Sequence, residues 1–163
     1  MRRAGGIPRR ALARFASEQG GATAVEFGLV AFPFILFLLV ILQLGIYYMT
    51  QSALDAAIIK TADGLRNNFT TTSVTTPNAA TLKSTVAGNA GGLIKNDSTL
   101  AVEIRQLATL SAAVVPVVDA TNDYGTSTST LVLRAESTAI AFAPGFNTLT
   151  KVRSSALVRR QGR

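Results

Sequence analysis

In the stretch "GGATAVEF", residues 20–27, Glu26 stands directly before the longest apolar run of the chain, Phe27 to Met49, which carries no charge and a single amide, Gln43. A carboxylate at the edge of such a run is costly in a membrane unless it stays among headgroups or finds a partner. Ion pairing is therefore the chemistry open to Glu26, and little else in the chain is equipped for more. There is no histidine and no cysteine. Their absence removes the commonest general base, the commonest metal ligand and the usual nucleophile–base pairs. Asp119, Asn122 and Asp123 come closest to a cation-binding set, but they lack the spacing and glycine of a known calcium loop and read as turn chemistry. The sequence points to no catalytic residue, no metal and no cofactor, and so to a protein that is not an enzyme.

The element that positions Glu26 is a helix. At 1.5 Å per residue, Phe27 to Met49 makes a helix about 34 Å long, enough to cross a bilayer core of about 30 Å. Hydrophobic residues form 48% of the chain and charged residues 15%, and this run holds much of the excess. Pro33 lies inside it, where a proline removes one backbone hydrogen bond and is expected to kink or loosen the helix. Arg2, Arg3, Arg9, Arg10 and Arg14 precede the run, and Glu18 is the only acid among the first 21 residues. By the positive-inside rule the N-terminus is cytoplasmic and the chain beyond about residue 50 lies outside. These arginines also account for part of the net charge of +7. The remainder shows no aromatic-interleaved basic patch, which argues against a nucleic-acid partner.

Beyond the run, "TQSALDAAIIKTADGLR" keeps a helical period. Leu54, Ile58 and Leu65 share a face with Ala57 and Ala62, while Asp55, Lys60, Asp63 and Arg66 fall largely elsewhere. One helix to about Arg66 is predicted, membranous in its first part and amphipathic in its second. A Thr-rich break follows at 67–80, then a short helix from Ala79 to Val86. Three stretches alternate apolar and polar residues with period two: Leu100 to Arg105, Leu131 to Glu136 and Val152 to Arg159. "AAVVPVV", 112–118, is a fourth candidate strand that Pro116 confines to an edge. The fold predicted is α+β: a long N-terminal transmembrane helix continues into an amphipathic helix packed on a small antiparallel sheet. Its parts are a leader at 1–21, the transmembrane helix at 22–49, the amphipathic extension at 50–68 and a small α+β domain at 69–163.

The glycine pair and Glu26 fit a more specific pattern. A secretory signal peptide has a shorter apolar core with its cleavage site behind it, whereas here the distinctive residues come before the run. "GGATAVEF" resembles a prepilin leader: glycine before the cut (Gly21), a small first mature residue (Ala22), glutamate fifth (Glu26) and an aromatic sixth (Phe27). The whole entry "GGATAVEFGLVAFPFILFLLVILQLGIYYM" is similar to the TadE-like family of minor pseudopilins of the tight-adherence (Flp, type IVb) pilus system. The tail "SSALVRR" resembles the end of that family too. The resemblance implies cleavage between Gly21 and Ala22 by a prepilin peptidase, an inner-membrane location with a periplasmic domain, and a role in pilus assembly or priming for adherence. It further implies other pilins or pseudopilins and an inner-membrane assembly platform as partners, with Glu26 and Phe27 setting the register of assembly. A plain single-span anchor carrying an envelope binding module, with its N-terminus uncleaved and Glu26 merely reaching the interface, is the alternative.

Overall fold

The computed structural model of the chain describes residues 20–70, 76–107, 115–126, 129–141 and 150–160, without the side chains of residues 20, 22 and 70. The elements are α1 (Gly20–Thr70), α2 (Ala79–Asn89), β1 (Ala101–Gln106), β2 (Thr130–Thr138) and β3 (Lys151–Arg159). The fold is α+β, as expected. The chain divides into two units, Met1–Ile41 and Leu42–Arg163.

In the first unit, α1 is apolar on every side and exposed on every side. Val25, Phe27, Leu29, Val30, Phe32, Phe34 and Phe37 are each more than half exposed. A helix of that kind is a candidate membrane span and does not have the burial of a core helix. The most apolar 18-residue window of α1 has a mean hydropathy of 2.7, and 6% of it is buried.

In the second unit, α1 becomes amphipathic and supplies half of a core. Leu54, Ala57, Ile58, Ala62 and Leu65 are buried against α2 residues Leu82, Val86 and Ala87 and one face of the sheet. That face is formed by Val102 and Ile104 of β1, Leu131, Leu133 and Ala135 of β2, and Val152 and Val158 of β3, all alternate positions as a pleated strand requires. The helix continues four residues past the predicted end at Arg66. Phe69, 3% exposed, explains why: its ring meets Tyr124 edge-on at 6.2 Å, with the Arg160 guanidinium 5.6 Å from its centroid. That burial carries the helix across the polar Asn67–Asn68 pair. α2 starts where Asn78 caps it, its side chain accepting from the Thr81 N–H at 2.8 Å.

The sheet has three antiparallel strands in the order β1–β2–β3. A fourth strand over 112–118 is not formed in its described part: residues 115–118 have no strand structure, and 112–114 lie outside the described residues. The free edge of β1 is covered instead by the segment after it. Ala120 donates to the Val102 carbonyl, Ile104 to Thr121 and Asp123 to Ile104, at 2.9 to 3.2 Å. At the other edge, β3 is capped by side chains of α1. The Gln51 amide donates to the Arg153 carbonyl (2.8 Å) and accepts from the Arg153 N–H (3.3 Å), and Arg66 Nη2 donates to the Leu157 carbonyl (2.5 Å). Edges satisfied in this way do not recruit further strands.

Candidate functional site

The sequence-predicted site residues lie at the start of α1. Because the helix begins at Gly20, the Gly21–Ala22 bond is in its first turn. Ala22 and Glu26 are four positions apart, one helical turn, with about 6 Å of rise between them. Glu26 and Phe27 are both exposed, Phe27 by 75%. A side chain added at Gly21 would meet nothing within 4 Å, and the same holds at Gly28 and Gly45. Pro33 is internal to α1, whose helical assignment continues past it. The structure thus places the "GGATAVEF" motif in about the first two turns of α1, with Gly21, Glu26 and Phe27 exposed.

Three polar clusters lie in the second unit; the sequence marked Gln43 and the Asp119–Asp123 loop but not their partners, and it did not mark the Glu103–Arg134 pair. Gln43, the lone amide of the apolar run, is 4% exposed, and its Nε2 donates to the Ile140 carbonyl at 2.9 Å. Its isolation among apolar residues was the available signal. Tyr47, one turn on, packs against the domain core, whereas Tyr48 is 66% exposed.

The second cluster lies on the sheet face opposite the helix. Glu103 is fully buried there although its neighbours Val102 and Ile104 point to the core. Arg134, its partner across the β1–β2 ladder, grips one carboxylate oxygen through Nε (2.5 Å) and Nη2. The other oxygen accepts from Arg105 Nη2 (3.1 Å) and the Val118 N–H (2.7 Å). Arg134 also donates to the Pro116 carbonyl at 3.2 Å. The 115–118 segment is therefore tied across the face that alternation alone assigns to solvent. Beside it lies an open crevice of about 510 Å³, lined in part by Val115, Arg134, Arg153 and Ser155.

The third cluster is the loop after β1. Asp119 accepts from Lys83 Nζ at 2.8 Å and from the Val102 N–H at 3.1 Å. Burial pushes its carboxyl up, but these two donors prevail and hold it below the ordinary range. Asp123 accepts from the Gly125 N–H at 2.9 Å, and Gly125 needs its positive φ of 53°. The acids of this loop are thus engaged in turn and helix contacts. Among the described residues no group of three His, Cys, Asp or Glu side chains is arranged to hold a metal. Burial raises the Tyr124 hydroxyl to about 12, and that hydroxyl donates to the Pro77 carbonyl at 2.7 Å.

An exposed apolar helix that runs on into a small antiparallel domain defines the class: an α+β protein with one candidate membrane span near its N-terminus among the described residues. The family follows from the same segment. Residues 21–63 match the model of the TadE-like protein family, which covers the motif, the apolar run and the amphipathic turns through Asp63. Over those residues the chain is TadE-like, the family of the Tad pilus system. The match stops before α2 and the sheet. Neither a curated protein nor a solved structure matches the chain.

Proposed function

We propose that this chain is a minor pseudopilin that takes part in assembling or priming a Tad-type pilus for adherence. The observation that carries the reading is the TadE-like match beginning at Gly21, at the glycine that precedes the proposed cut. On this reading a prepilin peptidase cleaves between Gly21 and Ala22. The apolar part of α1 crosses the inner membrane with the arginine-rich leader in the cytoplasm, and the domain folds on the periplasmic side.

Cleavage gives Glu26 a use. The new amine of Ala22 is a cation at the edge of the bilayer, and Glu26 of a neighbouring subunit is an anion at the same depth. At 4 Å such a pair is worth about 1 kcal/mol in water and about 4 at an effective dielectric near 20, before desolvation is subtracted. Register is the larger effect, because a subunit that slips along its neighbour leaves a carboxylate unpaired in a dry bundle. Phe27 adjoins that contact and shares in setting its register, while Pro33, about 10 Å further along the axis, is the place where the helix would kink or loosen. The partners are other pilins or pseudopilins of the system and its membrane assembly platform.

Intact-mass measurement of the membrane-extracted protein tests the reading. The expected species begins at Ala22. A protein that keeps Met1 to Gly21 in cells with active peptidase refutes it and leaves the uncleaved, single-span binding module.

A further inference from the structure

We infer that the end of the domain formed by Leu93 and Ile140 is seated at the boundary of headgroups and acyl chains in the leaflet it faces, so that the domain as well as the helix holds the lipid surface. The inference rests on the proposed membrane anchoring of α1.

The starting point is the Gln43–Ile140 bond. Residues around Gln43 on α1 are apolar and exposed, Leu42 by 55% and Leu44 by 48%, and exposure of this kind persists through Tyr48 and Met49. From Thr50 onward the exposed positions of α1 turn mostly polar, with Ser52, Lys60, Asp63, Arg66, Asn67 and Asn68 outward and Ala56 and Ile59 the apolar exceptions. The apolar surface of the helix therefore ends near Met49. Gln43 lies six residues before that point, which is about 9 Å along the axis. The Ile140 carbonyl it binds must sit at the same depth, inside the apolar zone and well past its rim.

An amide and a carbonyl at that depth have little water to bond, and each costs several kcal/mol unless satisfied internally. Gln43 Nε2 and Ile140 O satisfy one another at 2.9 Å.

The side chains nearby have the composition of an interfacial surface. Ile140 is 62% exposed and Leu93 is 53% exposed, and both border one groove of about 290 Å³ together with Lys95. Scattered exposed apolar residues are ordinary. Two that converge beside an apolar helix, with a lysine whose stem can lie along them and whose ammonium can reach phosphate, match a lipid interface. Asp97 shares the groove, but its carboxylate is turned onto its own loop, accepting from the Thr99 N–H (2.8 Å) and hydroxyl (2.5 Å). Lys151, opposite Thr138 at the same end of the sheet, adds a second cation, with Glu136 bound to it at 2.8 Å. Insertion to a depth of about 5 to 10 Å is typical of such surfaces.

The chain has no tryptophan, so single reporters can be placed without removing any. Full-length protein carrying Ile140→Trp, Leu93→Trp, Leu157→Trp or Ile41→Trp is reconstituted in phosphatidylcholine–phosphatidylglycerol vesicles, with and without bromine on the upper acyl chain. The Ile41→Trp reporter lies in the span, and Leu157, 54% exposed, lies toward the opposite end of β3. The Ile140→Trp reporter is expected to emit at shorter wavelength than Leu157→Trp and to lose most of its emission to bromolipid, as Ile41→Trp does. Leu93→Trp is expected to be quenched less than Ile140→Trp and more than Leu157→Trp. If Ile41→Trp is quenched while Ile140→Trp matches Leu157→Trp in wavelength and intensity, the seating is wrong and the anchor stands. If Ile41→Trp is also unquenched, the anchoring itself fails and the seating with it. All four positions are exposed in the native structure, so none of the substitutions opens a core.

Discussion

Removing Arg134 should unfold the domain more readily than removing Arg134 and Glu103 together. Glu103 is 0% exposed, and Arg134 supplies two of the charged N–H donors on its carboxylate. In Arg134→Met those donors are lost, leaving Arg105 Nη2 at 3.1 Å and the Val118 N–H at 2.7 Å. Breaking a buried pair by deleting one partner typically costs about 3 to 5 kcal/mol, and the surviving Arg105 contact places this case near the lower end, about 3 kcal/mol. For a folded unit of this size, with about 4 °C of Tm per kcal/mol, the midpoint falls by roughly 12 °C. The double variant, Glu103→Leu with Arg134→Met, strands no anion. Its only orphaned charge is Arg105, whose side chain is 21% exposed and can reach water. It should unfold within about 1 kcal/mol of the native chain, since apolar replacement of a whole buried pair is often neutral or stabilising. Thermal unfolding followed by circular dichroism of the full chain in detergent micelles gives both numbers. An Arg134→Met midpoint that stays at the native value, or a double variant less stable than the single, would show that the pair does not secure the 115–118 segment.

Two other outcomes concern the charged groups at either end of the chain. Glu26→Gln is expected to leave cleavage at Gly21 intact, because the peptidase acts five residues earlier, but to reduce co-purification with partner pilins and surface pilus counts; normal pili from fully processed Glu26→Gln protein would mean that Glu26 only reaches the interface. The Glu136 carboxyl is held below its ordinary 4.5: the Lys151 hydrogen bond lowers it most, burial opposes this as the next largest effect, and Arg153 adds to the lowering. A folded-state value below the unfolded one means the stabilisation is fully present above about pH 4.5 and is lost as pH falls through the folded value. The Tm difference between the native chain and Glu136→Gln should therefore shrink steadily below pH 4.5, and a difference independent of pH would refute the assignment.

The parts of the fold that could be read from the sequence are those whose signal is local. Leu54, Ile58 and Leu65 recur at helical spacing and are buried as that spacing predicts, and the three alternating stretches became the three strands within a residue or two. The proposed processing motif would be equally local, since a peptidase reads a few consecutive residues. Features set by distant chain segments were not legible. The alternation that sends Glu103 and Arg134 away from the core is real, but nothing near either residue signals that 115–118 will cover them. Pro116 marked that segment as an edge strand, and its carbonyl is used instead by an arginine side chain. The helix passes Arg66 because Phe69 finds Tyr124 and Arg160, residues far along the chain. Gln43 stood out as an oddity, but its partner at Ile140 is 97 residues away.

The side-chain caps along α1 also have a mechanical consequence. Gln43, Gln51 and Arg66 each hold a backbone group of the β2–β3 region, at Ile140, Arg153 and Leu157. They are spaced about 12 and 22 Å apart along the helix axis. A tension applied along that axis meets these bonds in shear, where they share the load and do not open one after another as a zipper would. The Gln51 amide resists sliding in both directions, because it grips the N–H and the C=O of one residue. Withdrawal of the helix from a bilayer would therefore carry the sheet along as a single rigid load.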